Sequence, residues 1–140
     1  DFTLLIDYAH NAVSMQSILT TLRAYNPKRL ICMFGAGGNR PKVRRFEMGE
    51  VSGNLADLSV ITADNSRYEN VLDILADIKV GLAKTDGKAI RWCIENAQPG
   101  DIIVLAGKGH EDYQEIEGKK YPFDERVVIR EILDSMKQSS

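Results

Sequence analysis

Apolar positions along the chain fall into two rhythms. Short continuous apolar runs occur at Phe2 to Asp7 (FTLLID), Arg29 to Phe34 (RLICMF), Leu58 to Thr62 (LSVIT) and Ile102 to Ala106 (IIVLA). Runs of this length bounded by turn-forming residues predict strands buried on both faces of a parallel sheet. Between them the apolar residues recur at helical spacing. Val13, Met15, Ile18, Leu19 and Leu22 predict a helix over 12–25, with Asn11 or Ser14 as its cap and Asn26-Pro27 as its end. Pro41 suits the first turn of a second helix running to about Leu55. Val71, Leu72, Leu75, Ile78 and Leu82 form a third stripe. After a polar break at Lys84 to Gly87, Ala89, Ile90, Cys93, Ile94 and Ala97 form a fourth. Beyond the last strand, Glu117-Gly118 between Tyr113/Ile116 and Tyr121/Phe123 predicts a small hairpin. Asp124 then caps a final helix through Met136, and Lys137 to Ser140 should fray.

The order β-α-β-α-β-α-α-β-hairpin-α predicts an α/β fold: a mainly parallel, Rossmann-like sheet, helices on both faces, and a small C-terminal hairpin. At 140 residues, one domain with a real core is expected. A net charge of −2 gives no reason to expect nucleic acid or an anionic membrane as partner. No apolar run approaches the length of a membrane span, and no leader pattern is visible. Cys32 and Cys93 stand apart inside apolar patterns, so buried thiols in a reducing compartment are expected. The chain opens inside a strand, which predicts a domain of a longer protein.

The chemistry gathers at the carboxyl ends of the four runs, the edge where open α/β sheets bind ligands. Ile102 to Ala106 stops at Gly107-Lys108-Gly109-His110-Glu111, where a lysine, a histidine and a carboxylate are expected to emerge beside two glycines. Asp7, Tyr8 and His10 offer an acceptor, an aromatic face and an imidazole, suited either to a ribose and base or to an ordinary loop leading into a helix. Gly35-Ala36-Gly37-Gly38 is expected to present free amides as an anion cradle. It lacks the third glycine of a dinucleotide fingerprint, because Arg40 stands there, and the chain has no P-loop run. Asp64-Asn65-Ser66-Arg67 combines an anion, an amide and a guanidinium. With Arg40 and Glu111 it makes the inventory for a zwitterion such as an amino acid. Equally, Asp64 could cap the following helix and leave Arg67 solvated. His110 has no second histidine or cysteine at ligand spacing, so no metal site is expected from this chain.

Taken together, Asp-Tyr-Ala-His (7–10), Phe-Gly-Ala-Gly-Gly-Asn-Arg (34–40), Asp-Asn-Ser-Arg (64–67) and Ala-Gly-Lys-Gly-His-Glu-Asp-Tyr-Gln (106–114) resemble, in order, the C-terminal domain of the Mur ligases. The nearest likeness is to the branch that adds the third residue of the peptidoglycan stem. Met48-Gly49 and Ala89-Ile90-Arg91-Trp92 also look like the family's pattern. The resemblance implies that 1–140 is the amino-acid-recruiting domain of a bacterial, cytoplasmic, ATP-dependent amide ligase. A UDP-sugar domain and a central ATPase domain, which carries the P-loop and most of the ATP and Mg²⁺ ligands, lie outside it. The enzyme would add meso-diaminopimelate to a UDP-muramoyl dipeptide through an acyl phosphate, and be monomeric. By motif matching, Arg40, Asp64, Asn65, Arg67, Gly107 and Glu111 resemble residues that hold the amino acid. Asp7, His10 and Asn11 match the ATP side. No catalytic residue and no metal ligand is implied here, and the isolated domain is expected to be inactive. Arg67 points to meso-diaminopimelate, because lysine has no distal carboxylate and an unpaired buried arginine costs several kcal/mol.

The chain departs from the family at three places. Ser66 and Ala12 replace usual prolines, so the Arg67 loop is expected to be less rigid. The stretch from Leu82 to Ala89 is shorter, and an Asp-Arg pair usual before the Ala-Ile is replaced by Lys84 to Lys88. The rival readings are a lysine-adding or other Mur-type ligase domain, and a stand-alone nucleotide-binding α/β module.

Overall fold

A computed structural model of the chain describes residues 1–78 and 88–138. Four strands, β1 (Thr3–Asp7), β2 (Leu30–Phe34), β3 (Leu58–Ile61) and β4 (Ile102–Ala106), form one parallel sheet in the order β1-β4-β2-β3. β4 is last in the chain yet lies inside the sheet, with Ile103 opposite both Leu4 and Ile31. Helices α1 (Ala12–Arg23), α2 (Val43–Leu55) and α3 (Val71–Ile78) cover one face. Helices α4 (Lys88–Glu95) and α5 (Glu125–Gln138) cover the other. The hairpin β5 (Tyr113–Ile116) and β6 (Lys119–Pro122) stands apart as a two-stranded antiparallel ribbon. The α/β expectation, with its parallel sheet and hairpin, is met.

Strand periodicity divides the core. Leu30, Cys32 and Phe34 of β2 join Met15, Leu19, Met48, Ile74 and Ile78 on one side. Ile31 and Met33 join Ile90, Cys93, Ile94 and Ile132 on the other. All five β2 residues are buried, so the run is apolar without alternation. β1 differs from expectation. It has no fully buried residue, because among the described residues β4 is its single neighbour.

Some apolar residues read as helix stripes face solvent. Met15, Leu19 and Leu22 form the buried line of α1; Val13, about 200° round from Met15, is 80% exposed. Leu72 is 61% exposed, and Ile74 takes the buried position beside Leu75 and Ile78. α1 ends at Arg23 and α2 begins at Val43, a little inside the expected bounds. Asn11 caps α1, its Oδ1 accepting from the Ser14 amide at 2.9 Å. Asn70, not Asp64, caps α3, accepting from the Leu72 amide at 2.8 Å. Asp124 accepts from the Arg126 amide at the start of α5, as expected of a cap, and that helix runs to Gln138. The readings at Leu82, Lys84 to Gly87 and the last two serines lie outside the described residues, as does the shortened stretch before Ala89 for all but Lys88.

Candidate functional site

Inserting β4 between β1 and β2 places the loop after β4 between the loops after its neighbours. Gly107 leaves β4 at φ +119°, a conformation closed to other residues, while its amide donates to the Asp7 carbonyl at 2.9 Å. The chain thus turns across the end of β1 and opens a cavity of about 180 Å³. His10, Arg40, Asp64, Asn65, Arg67, Gly107 and Glu111 all line it. Asp7 and Asn11 do not. Tyr8, Arg44, Arg45 and Met48 complete the wall, and Arg44 and Arg45 were not singled out from the sequence.

One wall is a clasp between the loops after β2 and β3. The Gly38 amide donates to the Asn65 carbonyl at 2.7 Å, and Arg67 Nη1 donates to the Gly38 carbonyl at 3.0 Å. The Asn39 amide donates to the Glu69 carboxylate, while Asn39 Oδ1 accepts from the Tyr68 amide at 3.0 Å. The backbones are so close that a Cβ at Gly38 would lie 1.7 Å from the Ser66 carbonyl oxygen, and one at Gly35 2.4 Å from that of Thr62. This corrects the anion-cradle expectation at Gly38 alone: its amide, like that of Asn39, is spent on the neighbouring loop, and Gly35 and Gly38 serve close backbone approach. Arg67 itself has φ +54° and is mostly buried, with Nε 3.5 Å from Glu115. It is neither solvated nor part of a helix, which removes the purely local reading of the Asp64–Arg67 cluster.

Arg45 buttresses this wall from α2. It is 1% exposed, with Nη2 2.6 Å from Glu69 and Nη1 2.7 Å from Asp77. The Arg45 guanidinium and the Asn39 amide hold the Glu69 carboxyl below its usual range. An arginine between Arg44 and Phe46, both more exposed than it, gives no signal of burial in the sequence, so only the packing reveals it.

Lys108 corrects a second expectation. Instead of emerging toward a ligand it is turned inward, 5% exposed. Its Nζ donates to the Tyr113 carbonyl at 2.9 Å and to Asn65 Oδ1 at 3.3 Å. It also makes an ion contact of 3.2 Å with Asp64 Oδ1, which has no hydrogen bond of its own. Asp64 is therefore already neutralised, and it is a weaker holder of a ligand ammonium than its position in sequence suggests. Glu111 has no cation paired with it among the described residues; Tyr113 donates its hydroxyl to Glu111 Oε2 at 3.0 Å, which raises the phenol's pKa. Behind Lys108 lies Glu125, 3% exposed, with Oε1 unpartnered. Burial pushes its pKa up to about 7, against the pull of Lys108 and helped by Asp64 and Asp124.

The opposite wall is open. Tyr8 is 48% exposed and its ring lies 4.9 Å from that of His10 and 5.3 Å from that of His110. Asp7 Oδ2 accepts from the Ala9 amide at 2.7 Å. Asn11 spends its side chain on capping α1.

Among the described residues, Arg40, Arg44 and Glu111 line the cavity without an opposite charge bound to them. Two cations and one anion suit a ligand carrying an ammonium and more than one acidic group. No group of three or more His, Cys, Asp or Glu is placed to hold a metal among the described residues. Cys32 and Cys93 are buried thiols whose pKa values burial pushes up to about 12, far from this chemistry.

The chain is similar to known proteins throughout. It is 46% identical over 142 residues to the UDP-N-acetylmuramoyl-L-alanyl-D-glutamate--2,6-diaminopimelate ligase of Caldanaerobacter subterraneus, covering 95% of this chain and 30% of that protein. The Aquifex aeolicus protein of the same name is 43% identical, with 94% and 29% covered. A solved structure of such a ligase superimposes with a TM-score of 0.89 at 36% identity, over 96% of this chain and 29% of that one. The chain thus spans about 30% of the length of the relatives it matches. The family described as Mur ligase, glutamate ligase domain, matches residues 1–109, and with four strand-end motifs converging on one cavity, the chain belongs to it.

Proposed function

We propose that this chain is the C-terminal, amino-acid-recruiting domain of an ATP-dependent ligase that adds meso-diaminopimelate to UDP-N-acetylmuramoyl-L-alanyl-D-glutamate in a bacterial cytoplasm. The observation that supports it best is the shared cavity wall of Arg40, Asn65, Arg67 and Glu111, read beside relatives named for that reaction. In such a ligase an acyl phosphate forms on the D-glutamate carboxylate, the free amine attacks the acyl carbon, and phosphate leaves. Residues of this chain bind and orient. Arg40 and Arg67 hold the distal carboxylate, and Glu111 holds an ammonium. Holding these ends fixes the attacking amine, and orientation of this kind is worth several powers of ten in rate. On the open wall, Tyr8, His10 and Asp7 fit a nucleotide: an exposed ring pair for the base and a carboxylate oxygen for a ribose hydroxyl. The P-loop, the Mg²⁺ ligands and the UDP-sugar site belong to the remainder of the protein, so the chain alone turns nothing over.

The test is a ¹⁵N-resolved titration of the chain with meso-diaminopimelate and, separately, L-lysine. Shifts at Arg40, Asp64–Arg67 and Gly107–Glu111 with meso-diaminopimelate alone are the expected result. Equal shifts with lysine would replace this reading by a lysine-adding or unselective one. Shifts with ADP and with neither amino acid would favour a nucleotide-binding module.

A further inference from the structure

Residues 113–118 line no part of the cavity, yet strand β5 holds the loop that does. The Gln114 side-chain amide donates to the Asp64 carbonyl at 3.4 Å, and the Glu115 amide donates to Asn65 Oδ1 at 2.6 Å. The Arg67 amide donates to the Glu115 carbonyl at 3.1 Å, and the Glu117 amide donates to the Arg67 carbonyl. Arg67 is thus joined to β5 as one rung of a parallel ladder, with its Nε 3.5 Å from the Glu115 carboxylate. The clasp with the loop after β2 takes the Arg67 guanidinium and the Asn65 carbonyl, but both backbone polar groups of Arg67 go to β5. Arg67 sits at φ +54°, where an arginine stays only when its surroundings over-determine it, and residues 62–70 contain no proline to stiffen them.

The hairpin depends on this contact in turn. It stands outside the main sheet, every residue of β6 is exposed, and a two-stranded ribbon is marginal by itself in water. Its two-residue turn has Glu117 at φ +51° and Gly118 at φ +76°, the left-handed pair that matches the twist of a hairpin. We propose that the β5–β6 hairpin is a detachable brace for the loop after β3: docked, it pins the Arg67 backbone and the Asn65 oxygen from outside the cavity, and undocked it releases both, so that the chemistry of the Glu117-Gly118 turn sets how firmly the cavity holds its ligand. The ligand is the amino acid of the reading above, on which this inference rests. Because hairpin and loop support one another, a ligand that binds the docked form also slows the opening of the hairpin.

Two substitutions at Gly118 separate the turn from its surroundings. A Cβ there would meet the Tyr68 hydroxyl, at the tip of an exposed side chain that can step aside, so Gly118→Asn and Gly118→Val face the same neighbour. Asparagine tolerates positive φ and valine does not. In this chain, the Arg67 and Glu117 amides should exchange with solvent about 10-fold or more faster in Gly118→Val, and within about threefold of wild type in Gly118→Asn. Amides of β2 and β4, which report the main sheet, should exchange as in wild type. In the full-length ligase carrying this domain, KM for meso-diaminopimelate should rise about 10-fold in Gly118→Val and recover in Gly118→Asn, while KM for ATP stays within about threefold in both. Unmoved Arg67 exchange in Gly118→Val would overturn the inference, and so would faster exchange with an unmoved KM. An equal rise in KM in the two variants would assign the effect to Tyr68 and overturn it as well. Should Gly118→Val fail to fold, wild type decides: saturating meso-diaminopimelate should slow exchange of the Arg67 and Glu117 amides at least about threefold, and no slowing would overturn the brace. If the wild-type enzyme does not use meso-diaminopimelate, the functional reading itself has failed, while exchange in the two variants still decides whether the hairpin braces the loop.

Discussion

The two walls of the cavity are built on different principles. The wall formed by the loops after β2 and β3 is closed by the domain's own groups. Backbone amides, Arg67 and the Arg45–Glu69 pair tie it together. The wall formed by the loop after β1 spends its polar groups on short local bonds and leaves the rings of Tyr8 and His10 outward, with the His110 ring beside Tyr8 outside the cavity lining. The first is preorganised, so a ligand entering it orders few side chains and meets fixed partners. The second is a surface on which flat groups can be laid. A site that must discriminate between similar amino acids gains from the first kind of wall. A site that receives a common nucleotide can use the second.

Substitutions should separate the walls sharply. Gly38→Ala forces a Cβ into the Ser66 carbonyl and should cost more than about 3 kcal/mol, with loss of amino-acid binding, as read by denaturant melting and titration. By contrast, Gly53→Ala in α2, where a Cβ meets nothing within 4 Å, should stabilise by about 0.5–1 kcal/mol. Arg45→Met should cost about 2–4 kcal/mol, below the full value of a buried pair because Glu69 and Asp77 are each about a quarter exposed. A melt unchanged by this substitution would mean that the clasp needs no buttress.

The buried acid behind Lys108 makes stability depend on pH. Glu125 binds its proton more tightly folded, at about 7, than unfolded, near 4.5. Its contribution is full below about 4.5 and is lost as the pH rises toward 7, at up to about 1.4 kcal/mol per pH unit. Glu125→Gln should flatten stability across that window and gain about 2 kcal/mol at pH 8. A pH dependence that survives the substitution would assign the titration elsewhere. The smallest effect belongs to the open wall: His10→Ala should change stability by less than about 0.5 kcal/mol while weakening nucleotide binding. A large loss of stability there would show that the open wall also supports the fold.

Much of this was readable along the chain. Continuous apolar runs located the four strands, and their polar ends located the residues of the cavity wall, because side-chain period and strand ends are local properties. The partial burial of β1 was not readable, since burial of a strand depends on how many neighbours it has. The inward turn of Lys108 was hidden for a related reason. A lysine between two glycines looks solvated until Tyr113, Asn65 and Asp64 are brought around it from separate elements. The same holds for Arg45, whose partners lie 24 and 32 residues away.

What the sequence alone determined is therefore the class of fold, the family, and the set of groups from which a site is made. Periodicity, turn residues and ordered motifs carry that information residue by residue. Tertiary structure decided which of those groups remain available. Placing β4 between β1 and β2 brought the loops together, Lys108 then neutralised Asp64, the Glu115 amide and Lys108 took up the oxygen of Asn65, and the Gly38 amide was spent on the neighbouring loop. Charge compensation and hydrogen-bond satisfaction act through space, across dozens of residues, so no local pattern could have assigned them.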